Sequence, residues 1–155
     1  MNYFIKPDYS NLKTFVINLD DYKENYETQL RYLESIGLKV ERFAGINALK
    51  DEHLKPEYKE YISKFAFNCT PKSVIGCALS HILCCKHIFN NYITCENNHQ
   101  QYFLIMEDDA FPKYNKTEFY ERVNKTINDI TILDNNWEII QLHSDAFYPT
   151  TNTYN

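Results

Sequence analysis

The stretch Tyr102-Phe103-Leu104-Ile105-Met106-Glu107-Asp108-Asp109 constrains the fold more than any other part of the chain. A run of uncharged apolar and aromatic residues stops abruptly at three carboxylates. Its length and content are those of a buried strand bounded by polar residues. A strand that reads as continuous hydrophobe is covered on both faces, as in the interior of a layered α/β protein. Such folds place their ligands at the carboxyl ends of the strands. Three adjacent acids repel one another, so something should offset them. A divalent cation with hard oxygen ligands does this and usually also holds phosphate. The plainer alternative is a solvated acidic turn in which Asp109-Ala110-Phe111-Pro112 simply leaves the sheet.

The flanking segments supply matching layers. Thr14-Phe15-Val16-Ile17-Asn18-Leu19 is β-branched and aromatic and reads as a first strand. Asp20 and Asp21 are placed to cap the next helix. Tyr26, Leu30 and Leu33 share one helical face, and Gly37 ends that helix as a left-handed cap. Leu38 to Phe43 alternates as a second strand. Strand, helix and strand in about thirty residues make a βαβ unit with parallel strands. From Ala44 to Asn68 the pattern weakens to short helices interrupted by Pro56. Thr70 reads as an N-cap with Pro71 at the first helical position. Ile75, Ala78, Leu79, Ile82 and Phe89 then mark a helix face, ending near Asn90-Asn91. Tyr92 to Gln101 reads as a loop. Phe119, Val123, Ile127 and Ile130 recur at helical spacing, and Trp137 to Leu142 reads as a further strand. Residues 148–155 read as a frayed tail. The pattern predicts a three-layer α/β/α sandwich, Rossmann-like, with a mostly parallel sheet.

Composition narrows the function classes. The 155 residues suit one domain with its own core, and no repeat or composition shift divides them. A net charge of −5 with no basic patch argues against nucleic-acid binding through phosphates. The five cysteines, Cys69, Cys77, Cys84, Cys85 and Cys95, are an odd, clustered set unlike a secreted disulfide framework. The amino-terminal residues lack the apolar core of a signal peptide, and no segment reads as a membrane span. A soluble protein of the reducing cytoplasm is the expectation. Tyrosine-rich composition, 13 of 155 residues, offers rings for a sugar or base, although most aromatic residues belong to the core.

Three constellations carry possible chemistry. In a strand exit, alternate residues point the same way, so Glu107 and Asp109 are expected to share a ligand while Asp108 faces another. Gly76 within a helix costs roughly 1 kcal/mol relative to Ala, which implies close approach of a backbone or a ligand. Ser80 and His81 lie off the apolar face and could border a cleft. Cys77, His81 and Cys84 fall at i, i+4 and i+7, as zinc ligands can. A structural zinc usually needs a fourth ligand, however, and buried free cysteines are the better reading. There is no serine elbow and no glycine-rich phosphate loop of either common type.

Taken in order, these blocks resemble glycosyltransferase family 25. The matching stretches are Val16-Ile17-Asn18-Leu19-Asp20, Glu41 to Ala48, Ile75-Gly76-Cys77-Ala78-Leu79-Ser80-His81 and Leu104 to Asp109. The resemblance covers about Thr14 to Leu142 and implies a GT-A fold that binds a nucleotide sugar. It implies that Asn18, Leu19, Asp20, Phe43 and Ala44 border the base and ribose, with Ser80, His81 and Asp108 on the donor. It implies that Glu107 and Asp109 hold manganese, or magnesium, on the diphosphate of a UDP-sugar, and that the anomeric centre is inverted. Asp109 and Asp145 are the candidate catalytic carboxylates, and His143 is a second candidate base. The acceptor would be a glycan, a lipooligosaccharide or a protein. The family commonly has arginines after the Asn-Leu-Asp block, where Asp21, Tyr22, Lys23 and Asn25 stand here, and the part that completes its acceptor side is short. Two other classes compete: a catalytically degenerate nucleotide-sugar or glycan-binding module of the same fold, and a receiver-like phosphoacceptor.

Overall fold

The computed structural model describes residues 12–93 and 102–142. Among these residues, strand β1 (Lys13–Asn18) lies at the centre of a three-stranded sheet of order β2-β1-β3, flanked by β2 (Lys39–Ala44) and β3 (Phe103–Glu107). Both pairings are parallel, with Ile17 opposite Phe43 on one side and Glu107 on the other. The carboxyl ends of all three strands therefore share one edge. Phe15 and Val16 are wholly buried, each contributing roughly 1.5–3 kcal/mol of apolar burial.

Helices cover both faces. Helix α1 (Lys23–Ser35) and helix α4 (Lys116–Leu133) place Leu33, Phe119, Val123 and Ile127 against Val16, Val40, Leu104 and Met106. A short helix α2 (Lys64–Cys69) precedes the long helix α3 (Lys72–Tyr92). Cys84 and Ile88 of α3 meet Phe15, Ile17, Phe43, Phe103 and Ile105 on the opposite face. The result is the expected three-layer α/β/α arrangement about a parallel sheet. Between β2 and α2 lie the short 3-10 turns Asp51–His53 and Pro56–Glu60, with Pro56 opening the second of them. By length and composition alone α3 could also cross a membrane, contrary to the expectation that no segment qualifies; here it lies along the sheet.

Local chemistry explains most boundaries. Gly37 has φ +80°, the Leu38 amide donates to the Leu33 carbonyl at 3.1 Å, and the Gly37 amide donates to Glu34 at 2.9 Å. That is a Schellman end, with Leu33 and Leu38 both in the core beneath it. Asn115 caps α4 by accepting from the Glu118 amide at 3.0 Å.

Other expectations are corrected. Asp20 and Asp21 do not cap α1; they lie in a 3-10 turn (Asp20–Tyr22), and their carboxylates pair with Arg42 and Lys50. Thr70 closes α2, and Pro71 itself occupies the cap position of α3. The buried side of α3 is Ile75, Gly76, Leu79, Ser80, Cys84 and Ile88, which leaves Ala78, Ile82 and Phe89 exposed. The small residues Gly76 and Ser80 turn inward because the backbone of the β2–α2 connection packs there. Among the described residues, Trp137–Leu142 joins no strand ladder. Trp137 stacks on Tyr102 with centroids 5.6 Å apart and donates to Thr131 Oγ1 at 2.9 Å. Ile140 also packs inward while Ile139 is exposed. This spacing of three departs from the two-residue alternation of a strand.

Candidate functional site

The acidic cluster at the end of β3 is built by the register of the sheet. Glu107 is paired with Ile17, and paired residues point to one face, here that of α3. Its Oε1 accordingly lies 3.2 Å from His81 Nε2 and 3.5 Å from Cys77 Sγ. Cys77 and His81 reach it from one face of α3 at a spacing of four residues. The strand stops at Glu107, and Asp108 and Asp109 enter a turn closed by the Ala110 amide on the Glu107 carbonyl at 3.1 Å. The alternation that would have aligned Glu107 with Asp109 therefore ends before it reaches Asp109. The group that Glu107 joins is Cys77 and His81, not Asp109. Asp109 is exposed and makes no hydrogen bond or ion pair among the described residues.

Asp108 faces the other way, toward the end of β1. Asn18, which is almost fully buried, donates through Nδ2 to Asp108 Oδ2 at 2.6 Å and to the Tyr22 carbonyl at 2.8 Å. Arg42 of β2 completes the network. Its Nε donates to Asn18 Oδ1 at 2.9 Å, and its Nη2 donates to the Asn18 carbonyl at 3.1 Å and to Asp20 Oδ1 at 2.7 Å. The guanidinium hydrogen bond beside Asp20 holds that carboxyl below its ordinary range. A Lys50 ammonium does the same for Asp21.

Two residues of this region escape a reading by motif. Arg42 provides, from the second strand, a guanidinium next to Asn18 and Asp20, where the positions following Asp20 carry none. Its signal was a cation at a strand position whose neighbours Val40 and Val16 face the core. Gln29 is wholly buried in α1, and its Nε2 donates to the carbonyls of Glu107 at 2.7 Å and Ala110 at 2.6 Å. Tyr32, one turn on, donates to the Pro112 carbonyl. A polar residue beside Leu30 on an otherwise apolar stripe was the available sign. Together Gln29 and Tyr32 anchor the exit of β3 to α1.

The other sequence-predicted residues take distinct places. Ser80 is buried; its hydroxyl accepts from the Ile46 amide at 2.8 Å and donates to the Gly76 carbonyl at 2.7 Å, so it positions the β2–α2 connection. Gly76 lies beneath the same segment, where an added Cβ would stand 2.5 Å from the Ile46 carbonyl oxygen. Phe43 packs into the α3-side core beside His87, whereas Leu19 and Ala44 lie at the strand ends. Cys84 is buried beneath α3, where burial pushes its thiol up to about 12, and it is no partner to Cys77 and His81. Asp145 and His143 lie outside the described residues.

An asparagine, an arginine and four carboxylates thus converge at the edge where a layered α/β fold binds its ligands. No curated protein and no solved structure matches the chain. The model of glycosyltransferase family 25, described as an LPS biosynthesis protein, matches residues 11–153. With nearly its whole length matched, and the Asn18-Leu19-Asp20 and Glu107-Asp108-Asp109 blocks meeting at one sheet edge, this chain belongs to glycosyltransferase family 25.

Proposed function

We propose that this glycosyltransferase is a metal-dependent enzyme of the GT-A type. In this reading it moves galactose or glucose from a UDP-sugar to a hydroxyl of a glycan, lipooligosaccharide or protein, with inversion. The observation that carries the proposal is the network joining Asp108 to Asn18, Arg42 and Asp20 beside the two further carboxylates of the β3 exit.

The donor set fits a hard divalent cation, which takes oxygen ligands. Asp109 is uncommitted among the described residues, Asp108 is bonded through Oδ2, and Glu107 is contacted through Oε1. Asp109, together with Glu107 through its oxygen other than Oε1, would hold manganese or magnesium, which when bound supplies charge stabilisation to the departing diphosphate. Asn18, itself held by Arg42, orients Asp108, which in this reading accepts from ribose hydroxyls. Gln29 keeps the turn in one conformation, so the carboxylates need little reordering when the donor arrives. Asp145 is the proposed base for the acceptor hydroxyl.

Two of the three acids of the turn are already compensated by protein groups, Asp108 by Asn18 and Glu107 by His81 and Cys77. That favours, as the second reading, a nucleotide-sugar-binding module that does not turn over.

A thermal-shift titration separates these readings. At a UDP concentration about 100 times Kd the expected stabilisation is roughly 2.7 kcal/mol, or about 5–10 °C for a chain of this size. The rise should require manganese, disappear with chelator, and be lost in Asp109→Ala. Equal stabilisation without metal would remove the cation from the proposal. UDP release from a panel of UDP-sugars distinguishes transfer or hydrolysis from binding alone; no release from any sugar supports the module.

A further inference from the structure

We infer that Cys77, His81 and Glu107 form a binding site for a borderline-soft divalent cation, of which zinc is the type, which shares Glu107 with the oxygen-donor site at Asp109 and differs from it in its other ligands. The three side chains come from two elements, a single face of α3 and the end of β3, and their ligand atoms all lie within 4.8 Å of one another. Thiolate, imidazole and carboxylate are the three ligand types of protein zinc sites.

The distances test the geometry. Tetrahedral zinc with ordinary bond lengths separates its nitrogen and oxygen ligands by about 3.3 Å and its sulfur and oxygen ligands by about 3.6 Å. Glu107 Oε1 lies 3.2 Å from His81 Nε2 and 3.5 Å from Cys77 Sγ. Two edges of a coordination tetrahedron are therefore present. An exposed histidine–glutamate pair alone contributes only ~0–1 kcal/mol, and the Cys77 thiol donates to the same Glu107 oxygen, so imidazole, thiol and carboxylate converge on one point. Three protein ligands leave the fourth position open, as in zinc sites that hold water or substrate. Uptake would transfer the Cys77 proton to solvent, with His81 coordinating through its unprotonated Nε2 and Glu107 as the carboxylate.

The site shares Glu107 with the sugar-donor proposal but does not depend on sugar transfer. Cobalt(II) reports it directly, because a thiolate ligand gives a near-ultraviolet charge-transfer band. The full chain titrated with cobalt should develop that band with one equivalent, and one equivalent of zinc should displace it. Cys77→Ser should abolish the band, and His81→Ala should weaken cobalt affinity by about a hundredfold. That is at least the ~10–100-fold typical of losing a supporting partner one shell further out. Cys85→Ser and Asp109→Ala should leave the spectrum unchanged. No thiolate band, an equal band in Cys77→Ser, or its loss in Asp109→Ala would each overturn the assignment. The manganese-dependent UDP shift in Cys77→Ser separates the two proposals. If it persists while the cobalt band is lost, the soft site is distinct; if both vanish, that separation is refuted.

Discussion

Gly76 shows how one residue sets the position of a whole connection. Glycine within a helix costs roughly 1 kcal/mol relative to alanine. The space above it is taken by backbone: an added Cβ would lie 2.5 Å from the Ile46 oxygen and 3.1 Å from the Ala48 nitrogen. Neither atom can swing aside as a side-chain tip would. Gly76→Ala should therefore destabilise the chain by about 1–3 kcal/mol, because overpacking outweighs the gain in propensity. A lower urea midpoint with an unchanged slope would show this; an unchanged or raised midpoint would mean that the connection yields freely. The need for a close approach at Gly76 was legible in the sequence. That the approaching group is the backbone of residues 46–48 was not, since the segment from Ala44 to Asn68 has no clear period. Cys77 and His81 likewise announced a shared helical face, but their third partner comes from a strand 26 residues after His81.

At the scale of elements, α1 acts as a clamp on the exit of β3. Gln29 replaces an apolar contact with two hydrogen bonds, one to the Ala110 carbonyl and one to the Glu107 carbonyl, which the Ala110 amide also reaches. Gln29→Leu keeps much of the volume and removes both hydrogen bonds, so a loss of about 1–3 kcal/mol is expected, chiefly from the Ala110 carbonyl, which loses its Gln29 donor. Because the amide of Ala110 closes that turn, its hydrogen exchange should accelerate more than that of the amides within β1. Uniform acceleration across the sheet would instead mark Gln29 as a general core residue. The strands themselves were readable to within about a residue, since apolar runs and Gly37 are local signals. The rotation of α3 was not, because its inward side is chosen by where small residues admit the neighbouring backbone. Trp137–Leu142 has strand-like content, but Trp137 and Ile140 anchor it through side chains on Tyr102, Thr131 and the core rather than through a ladder.

For the whole molecule, the end of the sheet opposite the site is tied together at Glu41. It joins β2 to β1 through Lys13 at 2.8 Å and to α3 through the Tyr92 hydroxyl at 2.9 Å. The Lys13 hydrogen bond, working against burial, holds the Glu41 carboxyl below its ordinary value. A depressed folded value means that the contribution is complete above the unfolded glutamate pKa, about 4.3, and is lost as pH falls through the lower folded value. Stability should decline on acidification below about pH 5, and Glu41→Gln should flatten that part of the curve. The effect should shrink with added salt, since the pair is partly exposed. An acid limb unchanged in Glu41→Gln would assign it to other carboxylates, such as Asp20.

From the sequence alone came the layer order, the strand runs, the helix end at Gly37 and the placing of three acids at a strand terminus. These follow from short-range periodicity and from the φ freedom of glycine, both written along the chain. Tertiary structure alone decided which acid faces which helix. The parallel register sets Glu107 opposite Ile17, turning it toward Cys77 and His81, while the turn after it sends Asp108 to Asn18. Such meetings depend on pairing and helix rotation across dozens of residues, and no local pattern encodes them.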